Sequence, residues 1–292
     1  MPIKEYNTAV ALGLFDGLHL GHVEVIKAAM LKDEYIPAVF TFNDKSPLPK
    51  MKEQENIISF SQKTKLFNAV GVKKILAVDF NDTKDLTADE FVENILIKEL
   101  NAKYVCCGYD FRFGREGKSG PGDLKKICSK HGIVTKKIPA ILVDGKAVSS
   151  SEIRRCIKDG DIQKANLLLG YELMYELPVI RGRKLGRKLS VPTINQRFPE
   201  TNLLPRPGVY KSWAEIDGFQ YRSITNIGFK PTVGSDSPII ETHLLGFREE
   251  LEIYEQLVTI SLVDFIRDER KFANVEELRA QIEEDIRKVR SN

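Results

Sequence analysis

The apolar positions along the chain keep two rhythms, one before about residue 170 and another after it. In the first stretch, short strand-like runs alternate with stripes at helical spacing. Ala9–Leu12 is an apolar run that enters a glycine-punctuated turn; Val23, Ile26 and Met30 then share one helical face, and Pro37–Phe42 is a second strand. The alternation continues with a helix over 60–70, a strand at Lys74–Asp79, a helix at Ala88–Leu100, a strand at Lys103–Gly108, a helix near Leu124–Lys130 and a strand at Ile133–Ile138. Strand and helix in strict alternation predict a doubly wound parallel sheet, whose ligands sit beyond the carboxyl ends of the strands.

Between about 159 and 178 the pattern changes. Gly160-Asp161 opens a short helix over Leu167–Leu169, Gly170 closes it, and Pro178 follows, which places a domain boundary near 173. Beyond it, Val209–Ile216 and Phe219–Ile227 flank Asp217-Gly218, a strong hairpin signal, and Ile239–Phe247 and Gln256–Phe265 add two strands. Several antiparallel strands predict a small barrel. Asn274 paired with Glu277 caps a last helix, along which Val275, Leu278, Ile282, Ile286 and Val289 form one stripe that must pack on that barrel. The fold class is therefore α/β: a doubly wound parallel-sheet domain (1–172), then a small antiparallel β-barrel domain (173–292) with a C-terminal helix.

Composition narrows the picture without changing it. The chain has 292 residues, 42% hydrophobic and 29% charged, with a formal net charge of +3. Those are the proportions of a globular protein with ample core for two domains, and its apolar runs are too short to span a bilayer. The start, Met-Pro-Ile-Lys-Glu-Tyr, has no apolar signal core. The expectation is a cytoplasmic monomer or weak homo-oligomer that acts on small molecules and binds neither nucleic acid nor membrane. Cys106, Cys107, Cys128 and Cys156 lack metal-binding spacing and read as buried, reduced thiols.

Candidate chemistry gathers in four places. The turn Gly13-Leu14-Phe15-Asp16-Gly17-Leu18-His19-Leu20-Gly21-His22 opens onto a helix, whose first N–H groups and positive dipole end favour an anion. His19 and His22, three apart, share a face of that first turn. Gly108-Tyr109-Asp110-Phe111-Arg112-Phe113-Gly114-Arg115 follows a strand and offers aromatic faces for a planar ring and guanidinium groups for phosphate. Ser149-Ser150-Ser151-Glu152-Ile153-Arg154 puts serines at a helix start with Arg154 in its first turn. Gly186-Arg187 opens a basic loop that ends in Thr193 and Asn195, which point the same way on an extended segment and suit Mg2+. Taken alone, these last three also read as a polar loop with a Phe anchor, a mere N-cap and a basic surface loop.

The turn resembles the F-D-G-x-H-x-G-H signature of the HIGH-type nucleotidyltransferases, a Rossmann-like family that transfers a nucleoside monophosphate and releases pyrophosphate. The resemblance implies that His19 and His22 hold a triphosphate, with Gly13, Phe15, Asp16 and Gly21 shaping its loop. Adding the G-x-D-F-x-F-G and S-S-x-I-R motifs, the first domain is similar to that of the bacterial bifunctional riboflavin kinase/FMN adenylyltransferases. That implies flavin binding at Gly108, Asp110, Phe111, Phe113 and Gly114, and ATP binding at Ser150, Ser151 and Arg154. Gly186-Arg187-Lys188-Leu189-Ser190-Val191-Pro192-Thr193-Ile194-Asn195, Asn226-Ile227-Gly228-Phe229-Lys230-Pro231-Thr232 and Glu241-Thr242-His243-Leu244-Leu245 resemble that family's kinase motifs.

The kinase resemblance implies that Glu241 is the general base. It also implies that Gly186, Arg187, Thr193 and Asn195 hold Mg2+–ATP, the last two as metal ligands, and that Asn226 and Arg267 lie by the flavin. Riboflavin, FMN, FAD and ATP are then the substrates and products. The alternatives are a kinase whose first domain only binds nucleotide, and a flavin-sensing regulator without turnover. The chain departs from the family at Asn43-Asp44-Lys45-Ser46-Pro47, where a histidine is usual, at Glu152, where a basic residue is common, at Ser190 and Val191, which replace Gly and Phe, and at Glu255, where Gly usually follows Tyr.

Overall fold

In the computed structural model, residues 6–45, 56–181, 193–229, 237–246 and 253–290 are described. Strand β1 (Thr8–Leu12) is buried along its whole length. It pairs in parallel with β2 (Ile36–Phe42) on one side and β4 (Ala102–Gly108) on the other, so neither edge faces water. With β3 (Lys74–Val78) and β5 (Val134–Ile138) the sheet order is β3-β2-β1-β4-β5. The chain winds outward from β1 through β2 to β3, then returns to the far side of β1 as β4. That reversal between β1 and β4 is the switch point at which open parallel sheets receive ligands.

Helices α1 (Leu20–Met30), α2 (Phe60–Ala69), α3 and α4 (Pro121–Lys130) alternate with these strands. α3 begins as Ala88–Glu90 and continues as nine π-helical residues, Phe91–Glu99, where the sequence pattern predicts an ordinary helix. Its buried residues, Phe91, Val92, Ile95 and Leu96, repeat every four positions, a spacing that the wider π pitch brings to one face. Leu100 N–H donates to the Ile95 carbonyl five residues back (3.1 Å). The core here joins Val10, Leu12, Phe40, Phe91, Leu96, Val105 and Leu124. A small hairpin, β6 (Leu142–Val143) and β7 (Lys146–Ala147), turns at Asp144-Gly145, a hairpin dipeptide not assigned from the sequence.

The second half forms a closed barrel with strand order β10-β11-β12-β9-β8-β13. Four of its strands correspond to those expected: β10 (Gly208–Ile216), β11 (Phe219–Phe229), β12 (Pro238–Leu244) and β13 (Leu257–Asp268). Asp217 (φ 51°) and Gly218 (φ 80°) make the turn between the first two. β8 (Leu173–Ile180) and β9 (Thr193–Arg197) are additions that close the barrel. β8 escapes sequence reading because Pro178 interrupts it, and a proline normally argues against an interior strand. Inside the barrel, Ser212, Ser223, Thr225 and Thr242 link their hydroxyls at 2.8 Å, so that buried polar groups satisfy one another.

Contacts divide the chain into compact units at Ser150/Ser151, earlier than the expected 172/173. Helix α6 (Ile162–Leu169) belongs with the barrel because it packs on β8 and β13. Its Asn166 ties the two together, donating to the Leu262 carbonyl and accepting from Leu173 N–H, both at 2.8 Å.

The C-terminal helix α7 (Val275–Arg290) is capped by Asn274, which accepts from Glu277 N–H (2.8 Å). Its buried face differs from the expected stripe. Val289 is buried as expected and Leu278, Ile282 and Ile286 are half-buried, but Gln281 and Asp285 are buried beside them and Val275 is exposed. Asp285 is drawn in by Arg267 on β13, whose guanidinium donates to both carboxylate oxygens (2.7–3.2 Å).

Candidate active sites

The turn after β1 is left-handed at three places: Phe15 (φ 55°), Gly17 (φ 77°) and Leu18 (φ 35°). For the two residues with side chains this costs about 1–2 kcal/mol each, so surrounding contacts must enforce it. They are visible. Asp16 Oδ1 accepts the buried Ile57 N–H (2.9 Å), and the Asp16 carbonyl accepts from the hydroxyl of Ser150, the first residue of α5 (Ser150–Asp159; 2.9 Å). The Phe15 ring is fully buried, edge-on to Phe67 and His22. A Cβ on Gly13 would lie 2.9 Å from that ring, which is why glycine stands there.

His19 is the N-cap of α1: its Nδ1 accepts from His22 N–H (3.4 Å). An Nδ1 that accepts leaves the imidazole proton on Nε2, where it can donate to an anion. The two imidazoles stack at 3.6 Å and 17°, and Gly21 makes room for them, since a Cβ there would sit 3.1 Å from His19 Cε1. His22 Nδ1 is buried with no hydrogen-bond partner among the described residues. Burial, then the neighbouring His19 and Lys63, hold the His22 pKa well below its ordinary value. The buried Nδ1 of His22 therefore lies next to the start of α1, whose first N–H groups favour an anion.

Leu12 of β1 lies opposite Cys107 of β4, so the turn from Gly13 to His22 and the loop that begins at Gly108 leave adjacent strand ends. In that loop Phe113 is only 6% exposed and packs against Phe91 and Phe111. It is an anchor; Phe111, half-buried above it, and exposed Tyr109 are the rings left near the surface. Gly114 (φ 72°) takes a left-handed turn against Ala88, and Asp110 curls back toward Gly108.

In the barrel, strand register assembles what the sequence separates. Glu241 on β12 lies directly opposite Asn195 on β9 and Asn226 on β11. Opposed residues in antiparallel strands share a face with Cβ atoms about 4.5–5.5 Å apart, so the three form one row. Thr193 lies opposite His243, on the same outer face. Ile194, Ile240, Thr242 and Thr225 alternate inward and are buried. The Asn195 amide nitrogen donates to the Thr193 carbonyl (3.3 Å), which turns its amide oxygen the other way. Asn226 donates to Glu269 (3.1 Å).

Comparison with known proteins agrees with both halves. The family described as FAD synthetase matches residues 2–152, and the family described as riboflavin kinase matches 169–292. A Bacillus subtilis (strain 168) protein named bifunctional riboflavin kinase/FMN adenylyltransferase is 33% identical over 97% of this chain and 91% of its own length. This chain belongs to that family. An Escherichia coli (strain K12) member with the same name is 29% identical over 94% of this chain and 90% of its own. A solved Streptococcus pneumoniae structure, described as a macrolide-efflux protein, superposes with a TM-score of 0.86 at 29% identity, covering 99% of this chain and 96% of that one. No helix among the described residues is long and apolar enough to cross a membrane.

Against the family pattern, several side chains take unexpected positions. Arg267, expected by the flavin, is committed to Asp285 and to the Asp268 carbonyl (3.0 Å), because the C-terminal helix brings a buried carboxylate to it. Glu152, which replaces a basic residue, pairs with Arg155 (2.7 Å) and Lys164 (3.1 Å), so its charge is neutralised along α5 and α6. Ser151 is exposed and Arg154 half-buried on α5. Gly186, Arg187, Ser190, Val191 and Lys230–Thr232 lie outside the described residues, as do Ser46 and Pro47. The four cysteines are buried free thiols, and burial pushes Cys106 and Cys128 up to about 12, leaving no thiolate for chemistry. Among the described residues no group of three or more His, Cys, Asp or Glu could hold a metal ion.

Proposed function

We propose that this family member carries out its two ATP-dependent steps at separate sites, one on the barrel and one on the parallel sheet. The observation that carries the assignment is the row Asn195–Glu241–Asn226, which puts a carboxylate between two amides on the outer barrel face. There Glu241 accepts the proton of the riboflavin ribityl hydroxyl as its oxygen attacks the γ-phosphorus of ATP, giving FMN and ADP. The Thr193 hydroxyl and the Asn195 amide oxygen are the hard oxygen donors that fit Mg2+. When bound, that ion supplies neutralising charge for the phosphates. Asn226 orients the flavin.

On the sheet, an FMN phosphate oxygen attacks the α-phosphorus of a second ATP and pyrophosphate leaves, giving FAD. No protein nucleophile is needed, because the attacking group is already anionic. The chain contributes alignment and charge stabilisation: His19 Nε2–H, the His22 ring and the start of α1 face the phosphates. Phe111 and the Gly108–Gly114 loop offer a face for an isoalloxazine, and Ser150 adds a phosphate contact. The partners are these small molecules and the setting is the cytoplasm. Incubating the protein with riboflavin, ATP and Mg2+ and separating the flavins by chromatography should show FMN first and FAD after it. FMN without FAD would leave the kinase-only reading, and neither product would leave a flavin-binding regulator.

A further inference from the structure

Lys63 belongs to none of the motifs, yet it lies beneath the phosphate turn. It sits in the first turn of α2, behind the Ser59–Gln62 capping box, and only 7% of it is exposed. Its ammonium donates to the Leu14 carbonyl (3.2 Å), the Thr41 hydroxyl (3.3 Å) and the Phe42 carbonyl (3.0 Å). Thr41 in turn donates to the same Leu14 carbonyl (2.9 Å). Three donors thus meet three acceptors, and they join the exit of β1, the exit of β2 and the peptide just before left-handed Phe15.

We infer that Lys63 is a positioning residue for adenylyl transfer: its ammonium fixes the Leu14 peptide, and through it the strained Phe15–Leu18 turn, in the shape that receives the triphosphate. The inference rests on the assignment of that turn to ATP. A buried ammonium also places one fixed positive charge beside the anion site, where a low local dielectric strengthens its effect. The charged and titratable groups that act on Lys63 and on His22 beside it are Asp16 and His19 in the turn and cap and Asp44 after β2. Burial holds the Lys63 pKa down at about 8, with Asp16 and Asp44 opposing the shift. Lys63 therefore loses its charge as pH rises through about 8, and its hold on the Leu14 carbonyl weakens.

The test uses the full chain, with riboflavin phosphorylation measured beside FAD formation from FMN. Lys63→Met should lower kcat for FAD formation by roughly 10- to 100-fold, as expected for lost alignment, with a much smaller change in the KM for ATP. Lys63→Arg should retain most of the activity. In wild type the FAD-forming rate should fall on the alkaline side of about pH 8, and Lys63→Arg should move that limb to higher pH. The kinase rate should not change in either variant. If Lys63→Met unfolds the sheet unit, as circular dichroism would show, the pH limb of Lys63→Arg decides alone. An unmoved limb, or wild-type FAD formation by a folded Lys63→Met, overturns the inference. His22→Ala run alongside separates the two failures: if it too forms FAD at the wild-type rate, the turn does not hold ATP and the role of Lys63 falls with it.

Discussion

In the sheet unit the proposed phosphate site is one unbroken run, Gly13 to His22, whose shape comes from local left-handed backbone and a histidine cap. In the barrel the proposed chemistry draws on three strands, and Asn195, Glu241 and Asn226 are brought together only by the register that aligns them. A contiguous site can be recognised as a motif and is rigidified from outside, by Ile57, Ser150 and Lys63. A register-built site is rigidified by the ladder itself, since a one-residue slip would turn Glu241 into the barrel interior.

The sharpest way to break this comparison is Glu241→Gln, which keeps size and hydrogen bonding but removes the base. FMN formation should fall by roughly 10²–10⁴-fold while FAD formation from supplied FMN survives. Near-normal kinase turnover would end the role given to Glu241. Next, alanine at His19 or His22 should slow FAD formation by on the order of 10²–10³-fold, with ATP affinity changed far less, by analogy with loss of one oxyanion donor. The kinase serves as the internal control, and a matching loss there would mean that the two sites are not separate.

Smaller effects sharpen the boundary of the barrel unit. A fragment beginning at Ser151 keeps α6, whose Ile162, Ala165, Leu168 and Leu169 are buried; one beginning at Leu173 does not. Allowing for the entropy of ordering the helix, the longer fragment should be more stable by about 2–4 kcal/mol, read from urea midpoints. Equal midpoints would show that α6 is not part of the barrel's stable unit. The smallest expected change is Glu255→Gly. Glu255 adopts φ 69° while its N–H donates to the Val179 carbonyl (2.9 Å), so glycine relieves strain at some entropic cost. A net gain below about 1 kcal/mol is expected in the same urea measurement, and a clear loss would mean that the Glu255 side chain stabilises the loop.

Much of this architecture is legible along the chain, because strand and helix periodicity and turn chemistry are local properties. The alternation from β1 to β5 follows from apolar spacing, the β10–β11 hairpin from Asp217-Gly218, and the phosphate turn from glycines beside two histidines. Where local signals conflict with the fold, they mislead. Pro178 hides β8, and the stripe on α7 predicts an apolar face where Asp285 is buried.

The sequence by itself determined the alternation from β1 to β5, the four strands β10 to β13, the last helix, the two-domain order and the two sets of motifs, since each depends on residues within a turn or two of one another. Only the tertiary structure decided that Arg267 reaches Asp285 rather than facing outward, that Phe113 is enclosed by Phe91, that Asn195, Glu241 and Asn226 form a row, and that Lys63 lies under the turn. Each of these joins elements far apart in the chain. A long side chain has many possible partners in the sequence, and only burial, which penalises every unpaired charge and polar group, selects the one it keeps.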